Sequence, residues 1–139
     1  MIALIGDRAP DFALPDEDGV ERSLTELASG DGLILYFYPA DFTFVCPTEI
    51  TQFSDRAKEF EANNCQVIGC SIDSNFVHER WTLQPRAEGG LGPMEIPLIG
   101  DVNRKVATDY QCLIEDGSGE EGATYRATYI IDTNGILRH

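Results

Sequence analysis

A chain of 139 residues with 42% hydrophobic and 24% charged residues has the size and composition of one globular domain, spanning residues 1–139, rather than of a disordered or fibrous protein. Its 24 acidic residues outnumber its 10 basic ones, and this net charge of −14 argues against binding to nucleic acid or to an anionic membrane surface. No apolar run approaches the roughly 20 residues that span a bilayer, and residues 1–5 are too short and uncharged for a signal peptide. We therefore expect a cytoplasmic protein.

Patterns in the first half of the chain predict a short helical turn, a buried strand and a long helix. Residues 23–27 predict the turn, with Ser23 as its cap, after an irregular entry that contains a short extended piece at 11–14. Leu33–Tyr38 is a continuous apolar run ended by Pro39, which is typical of a central strand. From Pro47 to about Asn63 apolar residues recur at helical spacing, so we expect an amphipathic helix there.

The second half predicts alternating strands and helices followed by a hairpin. The expected strands are 66–72 and 96–99, and the expected helices are 76–83 and about 102–110, with a glycine-rich loop at 88–93. Residues 127–132 and 136–138 flank an Asn-Gly turn, which is the strongest short signal for a hairpin.

This order predicts an α/β protein, a thioredoxin-like three-layer α/β/α sandwich with a mixed central sheet. Because the chain stops at His139 directly after the hairpin, with no helix to cover that part of the sheet, we expect it to be truncated at its C-terminus. The final helix and C-terminal arm of such a domain would then be missing.

The chain has four cysteines: Cys46, Cys65, Cys70 and Cys112. They are too few for a disulfide scaffold and form no Cys-x-x-Cys pair, and the two histidines, His78 and His139, lie far apart. A zinc site with closely spaced ligand pairs is therefore not indicated. Cys70 shares a strand face with apolar residues and predicts core packing, and Cys65 and Cys112 are expected to be non-catalytic thiols.

Cys46 differs from the other three because it lies between the predicted central strand and the start of the long helix. Pro47 suits the first helical position, which places Cys46 at the helix N-terminus, where the helix dipole and free N–H groups stabilise a thiolate. Thr43 offers a hydroxyl near the sulfur, and Pro39 and Pro47 stiffen the turn. The alternative is that Cys46 is an inert, buried residue, and the local pattern alone leaves both interpretations open.

Residues 37–49 read Phe-Tyr-Pro-Ala-Asp-Phe-Thr-Phe-Val-Cys-Pro-Thr-Glu, in which Pro39, Thr43 and Cys46 form a Pro-x-x-x-Thr-x-x-Cys pattern. With further matching blocks at 6–12, 71–76, 88–93 and 125–132, the sequence closely resembles typical two-cysteine peroxiredoxins, the thiol peroxidases related to alkyl hydroperoxide reductase.

The resemblance implies a role for each matching residue. Cys46 would be the peroxidatic cysteine, which attacks a peroxide as a thiolate and becomes a sulfenic acid. Thr43 would hold a peroxide oxygen, Pro39 would shield the pocket, and Arg126 would stabilise the thiolate and the charge that develops on the peroxide. Glu49 matches a glutamate that orients this arginine. No metal, haem or flavin cofactor is implied.

The resemblance also implies partners. These are hydrogen peroxide and alkyl hydroperoxides, a thioredoxin-like or flavoprotein reductant, and a second copy of the chain in a homodimer or a ring of dimers. The family's resolving cysteine has no matching position among Cys65, Cys70 and Cys112. The Gly89–Gly92 loop resembles one of two elements linked to over-oxidation of the peroxidatic cysteine.

Three alternatives compete with a peroxidase. A dithiol-exchange module would need Cys-x-x-Cys at the turn, where Thr43 stands in the first position. A cysteine hydrolase would need Cys46 to pair with His78, which lies in a helix after a different strand. The chain could also be a fragment without turnover, or a chaperone-like structural subunit of a peroxiredoxin assembly.

Overall fold

A computed structural model describes residues 5–27, 32–41, 46–114 and 122–139, and for residues 46–48 it describes the backbone only. The strands are β1 (Ala13–Pro15), β2 (Glu21–Ser23), β3 (Gly32–Phe37), β4 (Cys65–Ser71), β5 (Leu98–Gly100) and β6 (Ala127–Asp132). The helices are α1 (Leu24–Leu27), α2 (Cys46–Asp55), α3 (Ala57–Ala62), α4 (Asn75–Leu83) and α5 (Lys105–Asp109), with a 3₁₀ turn at Arg86–Glu88. Among these helices none has the length and apolar character needed to cross a lipid bilayer.

Four strands form the central sheet in the order β5-β4-β3-β6, and β1 and β2 form a separate antiparallel hairpin. Strands β3, β4 and β5 are parallel, whereas β6 runs antiparallel to β3. In the register, Leu35 lies between Ile68 of β4 and Tyr129 of β6. The sheet is therefore mixed and β3 is an inner strand, as the sequence predicts.

Alternate residues of β3 point to two different cores because successive side chains of a strand face opposite sides of the sheet. Leu33, Leu35 and Phe37 are fully buried in one cluster, which also contains Leu27 of α1 and Val106 of α5. Each such aliphatic or aromatic side chain contributes about 1.5–3 kcal/mol when it is removed from water. This face of the sheet is covered by α1 and α5.

The opposite face of β3 packs against a second set of helices. Tyr36 of β3 and the following Tyr38 lie in a cluster with Ile50 of α2, Trp81 of α4 and Leu91. Helices thus cover the sheet on both faces, which confirms the predicted three layers. The site-bearing helix α2 lies on this second face.

The long helix predicted from Pro47 to Asn63 is interrupted at Arg56, which has φ −103° and ψ 14° and separates α2 from α3. The two ends of the apolar stripe pack on different parts of the sheet. Ile50 contacts the cluster around Tyr38, whereas Ala57 lies in another cluster with Val67 of β4. The break lets α3 turn onto β4, which a straight helix could not do.

Helix α5 begins at Lys105 rather than near Val102, so its predicted start is wrong. Arg104 has a left-handed conformation with φ 61°, which a right-handed helix excludes. Asp101 lies before this turn, and its carboxylate accepts hydrogen bonds from the N–H groups of Val106 at 3.2 Å and Ala107 at 2.8 Å. The buried carboxylate therefore caps a shorter helix than the periodicity indicates.

The predicted hairpin after β6 is confirmed by its backbone hydrogen bonds. The Asp132 N–H donates to the Ile136 carbonyl at 3.0 Å, and the Arg138 N–H donates to the Ile130 carbonyl at 2.8 Å. Gly135 supplies the positive φ, 77°, that closes the turn. Ser23 also acts as predicted, because its Oγ accepts from the Glu26 N–H at 3.3 Å.

The glycine-rich loop is held against the C-terminal end of α2. Both Nη atoms of Arg86 donate to the Asp55 carboxylate, at 3.0 and 2.8 Å, and Arg86 Nε donates to the Leu91 carbonyl at 3.0 Å. Inside the loop, the Gly90 N–H donates to the Pro85 carbonyl at 3.0 Å. A Cβ atom on Gly90 would overlap the backbone oxygen of Gln84.

We expect Gly90→Ala to lower the free energy of unfolding by about 1–3 kcal/mol, because the added methyl group forces two backbone segments apart. Urea denaturation followed by circular dichroism measures this change. The control is Glu88→Ala, since Glu88 is exposed in the same segment; we expect it to stay within about 0.5 kcal/mol of the unaltered chain. Equal urea midpoints for Gly90→Ala and the control would contradict the close approach.

Candidate active site

The candidate site lies where the inner strand β3 ends and helix α2 begins. Pro39, which is half-buried, follows the strand, and Cys46 is the first residue of the helix. The predicted position of Cys46 at a helix N-terminus is therefore confirmed. Thr43 and the side chain of Cys46 lie outside the described part of the chain. At a helix N-terminus the free N–H groups and the positive end of the dipole favour an anion such as a thiolate.

Glu49 in the first turn of α2 brings two other elements to the site. Its Oε2 atom lies 3.9 Å from Nε of Arg126, which directly precedes β6. The hydroxyl of Tyr36 on β3 donates to the same oxygen. Glu49 and Arg126 are thus next to each other, as the sequence resemblance implies, and both are less than half exposed. An ion pair of this exposure adds little to stability.

A buried polar network holds the segment that leads towards Cys46. Asp41 accepts a hydrogen bond from the Tyr38 hydroxyl through Oδ1 at 2.6 Å, and its Oδ2 lies 2.6 Å from Nδ1 of His78. The other ring nitrogen of His78, Nε2, lies 2.9 Å from the Ile99 carbonyl oxygen. Because a carbonyl only accepts, Nε2 carries a proton, and Nδ1 and Asp41 share the next one.

Burial and the hydrogen bond between Asp41 and His78 shift the pKa of each residue in opposite directions. Burial raises the pKa of Asp41, although its hydrogen bond to His78 opposes the increase. Burial by itself would lower the pKa of His78, but the hydrogen bond and charge of Asp41 outweigh it, so the pKa of His78 is raised. The two side chains therefore act as one proton-sharing unit with no solvent contact.

The same network reaches the end of β4. The Asp41 N–H donates to Oδ2 of Asp73 at 2.8 Å, and that oxygen also accepts from the Ser71 hydroxyl at 2.7 Å. Asp41 is thus held by the segment that follows β3, through Tyr38, and by the segment that follows β4, through Asp73. Sequence reasoning missed Tyr38, Asp41 and Asp73 as supports of the site. One available signal was that Asp41 is an acidic residue within the strand-to-helix turn itself.

The network also bears on the cysteine-hydrolase alternative. A hydrolase would need an imidazole nitrogen of His78 for the thiol of Cys46. Both ring nitrogens are already engaged, one with Asp41 and one with Ile99. This arrangement favours a structural role for His78.

The other three cysteines do not lie at a helix N-terminus. Cys70 is fully buried, and burial raises the pKa of its thiol well above the ordinary value. Burial also raises the pKa of Cys112, to about 12. Cys65 is half-buried, and its thiol donates to the Asn63 carbonyl at 3.5 Å. The predicted core packing of Cys70 is confirmed, and Cys112 is buried as well.

In the described ranges, His, Cys, Asp and Glu side chains do not come together in any group of three or more that could hold a metal ion. The candidate site combines a helix N-terminus, an arginine and its carboxylate partner. These are groups that stabilise an anion and the charge developing on an attacked oxygen.

Comparisons with known proteins agree with this geometry. The AhpC/TSA family model matches residues 5–139. Peroxiredoxin-2 of Bos taurus is 50% identical over 139 residues, which cover 98% of this chain and 67% of the bovine protein. Peroxiredoxin-1 of Gekko japonicus is 50% identical over 140 residues, which cover 98% of this chain and 68% of the gecko protein.

Solved structures show the same fold. The reduced 2-Cys peroxiredoxin of Plasmodium vivax superposes with a TM-score of 0.88 at 36% identity, covering 97% of this chain and 82% of that one. Thioredoxin peroxidase I of Plasmodium yoelii gives a TM-score of 0.87 at 34% identity, covering 98% and 78%. The sheet order and layers described above are those of the thioredoxin-like peroxiredoxin fold. The chain belongs to the AhpC/TSA family and is a peroxiredoxin, an oxidoreductase of the thiol peroxidase class.

Proposed function

We propose that this chain reduces hydrogen peroxide and alkyl hydroperoxides with Cys46 as the peroxidatic cysteine. The observation that carries the proposal is the position of Cys46 at the start of α2, with the Glu49–Arg126 pair one helical turn further on. A helix N-terminus and a nearby guanidinium both favour the thiolate, which is the nucleophilic form of cysteine.

In the proposed step, the Cys46 thiolate attacks one oxygen of the peroxide. A sulfur–oxygen bond forms as the oxygen–oxygen bond breaks, so sulfur is oxidised to a sulfenic acid and the peroxide is reduced. The leaving group is hydroxide or an alkoxide, which takes up a proton to become water or an alcohol. Because negative charge moves from sulfur to the leaving oxygen, fixed donors around both atoms lower the barrier.

Each of the remaining site residues has a defined part in this proposal. In this proposal Arg126 stabilises the charge on the sulfur and the peroxide, and Glu49, whose Oε2 lies 3.9 Å from Nε of Arg126, orients the guanidinium. Thr43 supplies a hydroxyl to a peroxide oxygen, and Pro39 limits the access of water. Tyr36 adds a second constraint on Glu49 from the sheet, which keeps the carboxylate between strand and helix.

The sulfenic acid is then returned to the thiol by a dithiol reductant. Two thiols of the reductant become a disulfide, and the sulfenic oxygen leaves as water. A thioredoxin-type protein is the proposed reductant, in keeping with the name thioredoxin peroxidase of the Plasmodium yoelii relative. We also propose a homodimer or a ring of dimers as the assembly and the cytoplasm as the location.

A second candidate is a chain without turnover, acting as a structural or chaperone-like subunit of a peroxiredoxin assembly. The matched region covers 67% of the bovine relative's length and 68% of the gecko relative's length. The rate of the first oxidation step separates the two. A peroxidase loses one thiol rapidly to hydrogen peroxide, whereas a structural subunit loses thiols at the slow rate of free cysteine.

We expect Cys46→Ser to abolish rapid oxidation by hydrogen peroxide, because no other thiol lies at the start of this helix. Stopped-flow fluorescence and thiol titration measure the loss. Cys70→Ser and Cys65→Ser are the controls and should keep the rapid phase, since Cys70 is buried with a raised pKa and Cys65 pairs with Gly32 at the opposite end of β3 from the site. Rapid oxidation that survives in Cys46→Ser but not in Cys70→Ser would show that the assignment is wrong.

We expect Arg126→Met to shift the pH midpoint of the oxidation rate upward and to slow the reaction about 10²-fold even above that midpoint. The first effect reflects a less stabilised thiolate, and the second reflects lost stabilisation of the leaving oxygen. The matched control is Arg138→Met, which removes an exposed arginine that pairs with Asp132 in the hairpin. Identical pH–rate profiles for Arg126→Met and Arg138→Met would remove Arg126 from the site.

A further inference from the structure

The segment just before β6 changes its partner strand next to the site. β6 pairs with β3 up to the contact of Ala127 with Phe37. Before this point the backbone leaves β3 and pairs with another stretch of chain. The Tyr125 N–H donates to the Cys112 carbonyl at 2.8 Å, and Thr124 forms an antiparallel bridge with Leu113.

This change of partner affects the carbonyl of Tyr38, the residue that directly follows β3. Among the residues that the structure describes, its donor is a side chain, the hydroxyl of Thr124, whose Oγ1 lies 2.9 Å from the Tyr38 oxygen. Both residues are completely buried. A buried carbonyl that loses its donor retains the full cost of leaving water, so this hydroxyl strongly constrains the backbone that it contacts.

Thr124 and Arg126 lie two residues apart on this segment. Thr124 contacts the chain before Cys46, and Arg126 contacts the chain after it. Thr124 holds the backbone of Tyr38, where the chain enters the turn towards Pro39. Arg126 lies against Glu49, where the chain has already entered α2. The segment 124–126 therefore spans the turn and sets the spacing between its two ends.

We infer that Thr124 is a positioning residue for peroxide reduction, acting through the Tyr38 carbonyl on Pro39 and on the start of α2. The inference rests on the proposed function of Cys46. Thr124 does not act on substrate, and its contribution is geometric. Without its hydroxyl the Tyr38 carbonyl loses the donor that this segment supplies, and the backbone that leads towards Cys46 is held less firmly relative to Arg126.

Such a loss of alignment is expected to matter for the rate, since a displacement of about 1 Å can slow an enzymatic reaction about 10²-fold. Thr124→Val is the informative change because valine keeps the shape of threonine and removes only the donor. Thr124→Ser is its matched control because serine keeps the hydroxyl and removes only the methyl group. Thr124→Ala removes the donor without any added bulk, and it replaces the valine variant should that one not fold.

The experiment compares the unaltered chain with these variants in two reactions of Cys46. The first is oxidation by hydrogen peroxide in stopped flow across a pH range that reaches full ionisation of the thiol. The second is alkylation by iodoacetamide, which needs a thiolate but not the alignment of a peroxide. Circular dichroism and thermal unfolding confirm that each variant compared is folded.

We expect Thr124→Val to oxidise about 10- to 100-fold more slowly than the unaltered chain, with its alkylation rate at full ionisation of the thiol changed less than about threefold. Thr124→Ser should remain within about threefold of the unaltered chain in both reactions. This pattern separates positioning from packing, since a packing role would be disturbed by the loss of the methyl group in serine as well.

Three results would overturn the inference: normal oxidation in Thr124→Val, equal slowing in Thr124→Ser, or an equal loss of alkylation and oxidation. The last result would indicate general damage to the thiol environment. Failure of the proposed function looks different, because the unaltered chain would then itself oxidise at the rate of a free cysteine.

Discussion

Strand β3 is enclosed on all sides, and the candidate site depends on this. It is paired with β4 along one edge and β6 along the other, and both of its faces are covered by buried side chains. A strand held in this way ends at a defined point, so the turn after it begins from a rigid position. Cys46, Glu49 and Arg126 are placed relative to one another by that rigidity, because α2 follows β3 and Arg126 precedes the strand that pairs with it.

The polar groups around the turn are costly to bury and are therefore fully engaged. Asp41 and His78 have no exposed side-chain surface, and each of them contacts more than one partner. In the described part of the chain, every buried side-chain nitrogen or oxygen has a hydrogen-bond partner. Removing one partner of such a network leaves another group unsatisfied, so the network resists small displacements. This is the property required of a support for reacting groups.

Much of the fold could be predicted from local patterns. The apolar run in β3, the Asn-Gly turn after β6 and the cap at Ser23 all match the structure, because each depends on residues close together in the chain. One error occurs where distant packing decides, and the other where a local turn overrides the helical periodicity. The break at Arg56 follows from α3 turning onto β4, and the late start of α5 follows from the left-handed Arg104 after the capping residue Asp101.

The candidate site likewise has features that local sequence patterns predict and features that depend on contacts between distant segments. The position of Cys46 at a strand-to-helix turn is a local property, and the Pro-x-x-x-Thr-x-x-Cys pattern that indicates the family lies within one short stretch of chain. The supports of the site are separated by long stretches of chain. Tyr38 meets Thr124, and Asp41 meets His78 and Asp73, only through the sheet and the helices packed on it.

The sequence by itself therefore determined the position of Cys46 at a helix N-terminus, the layer order and the family, because helix starts, strand periodicity and short motifs are set by neighbouring residues. Only the tertiary structure decided which carboxylate contacts His78 and which hydroxyl donates to the Tyr38 carbonyl. A buried polar atom takes its partner from whichever segment the packed sheet brings within hydrogen-bond distance, and no spacing along the chain encodes that choice.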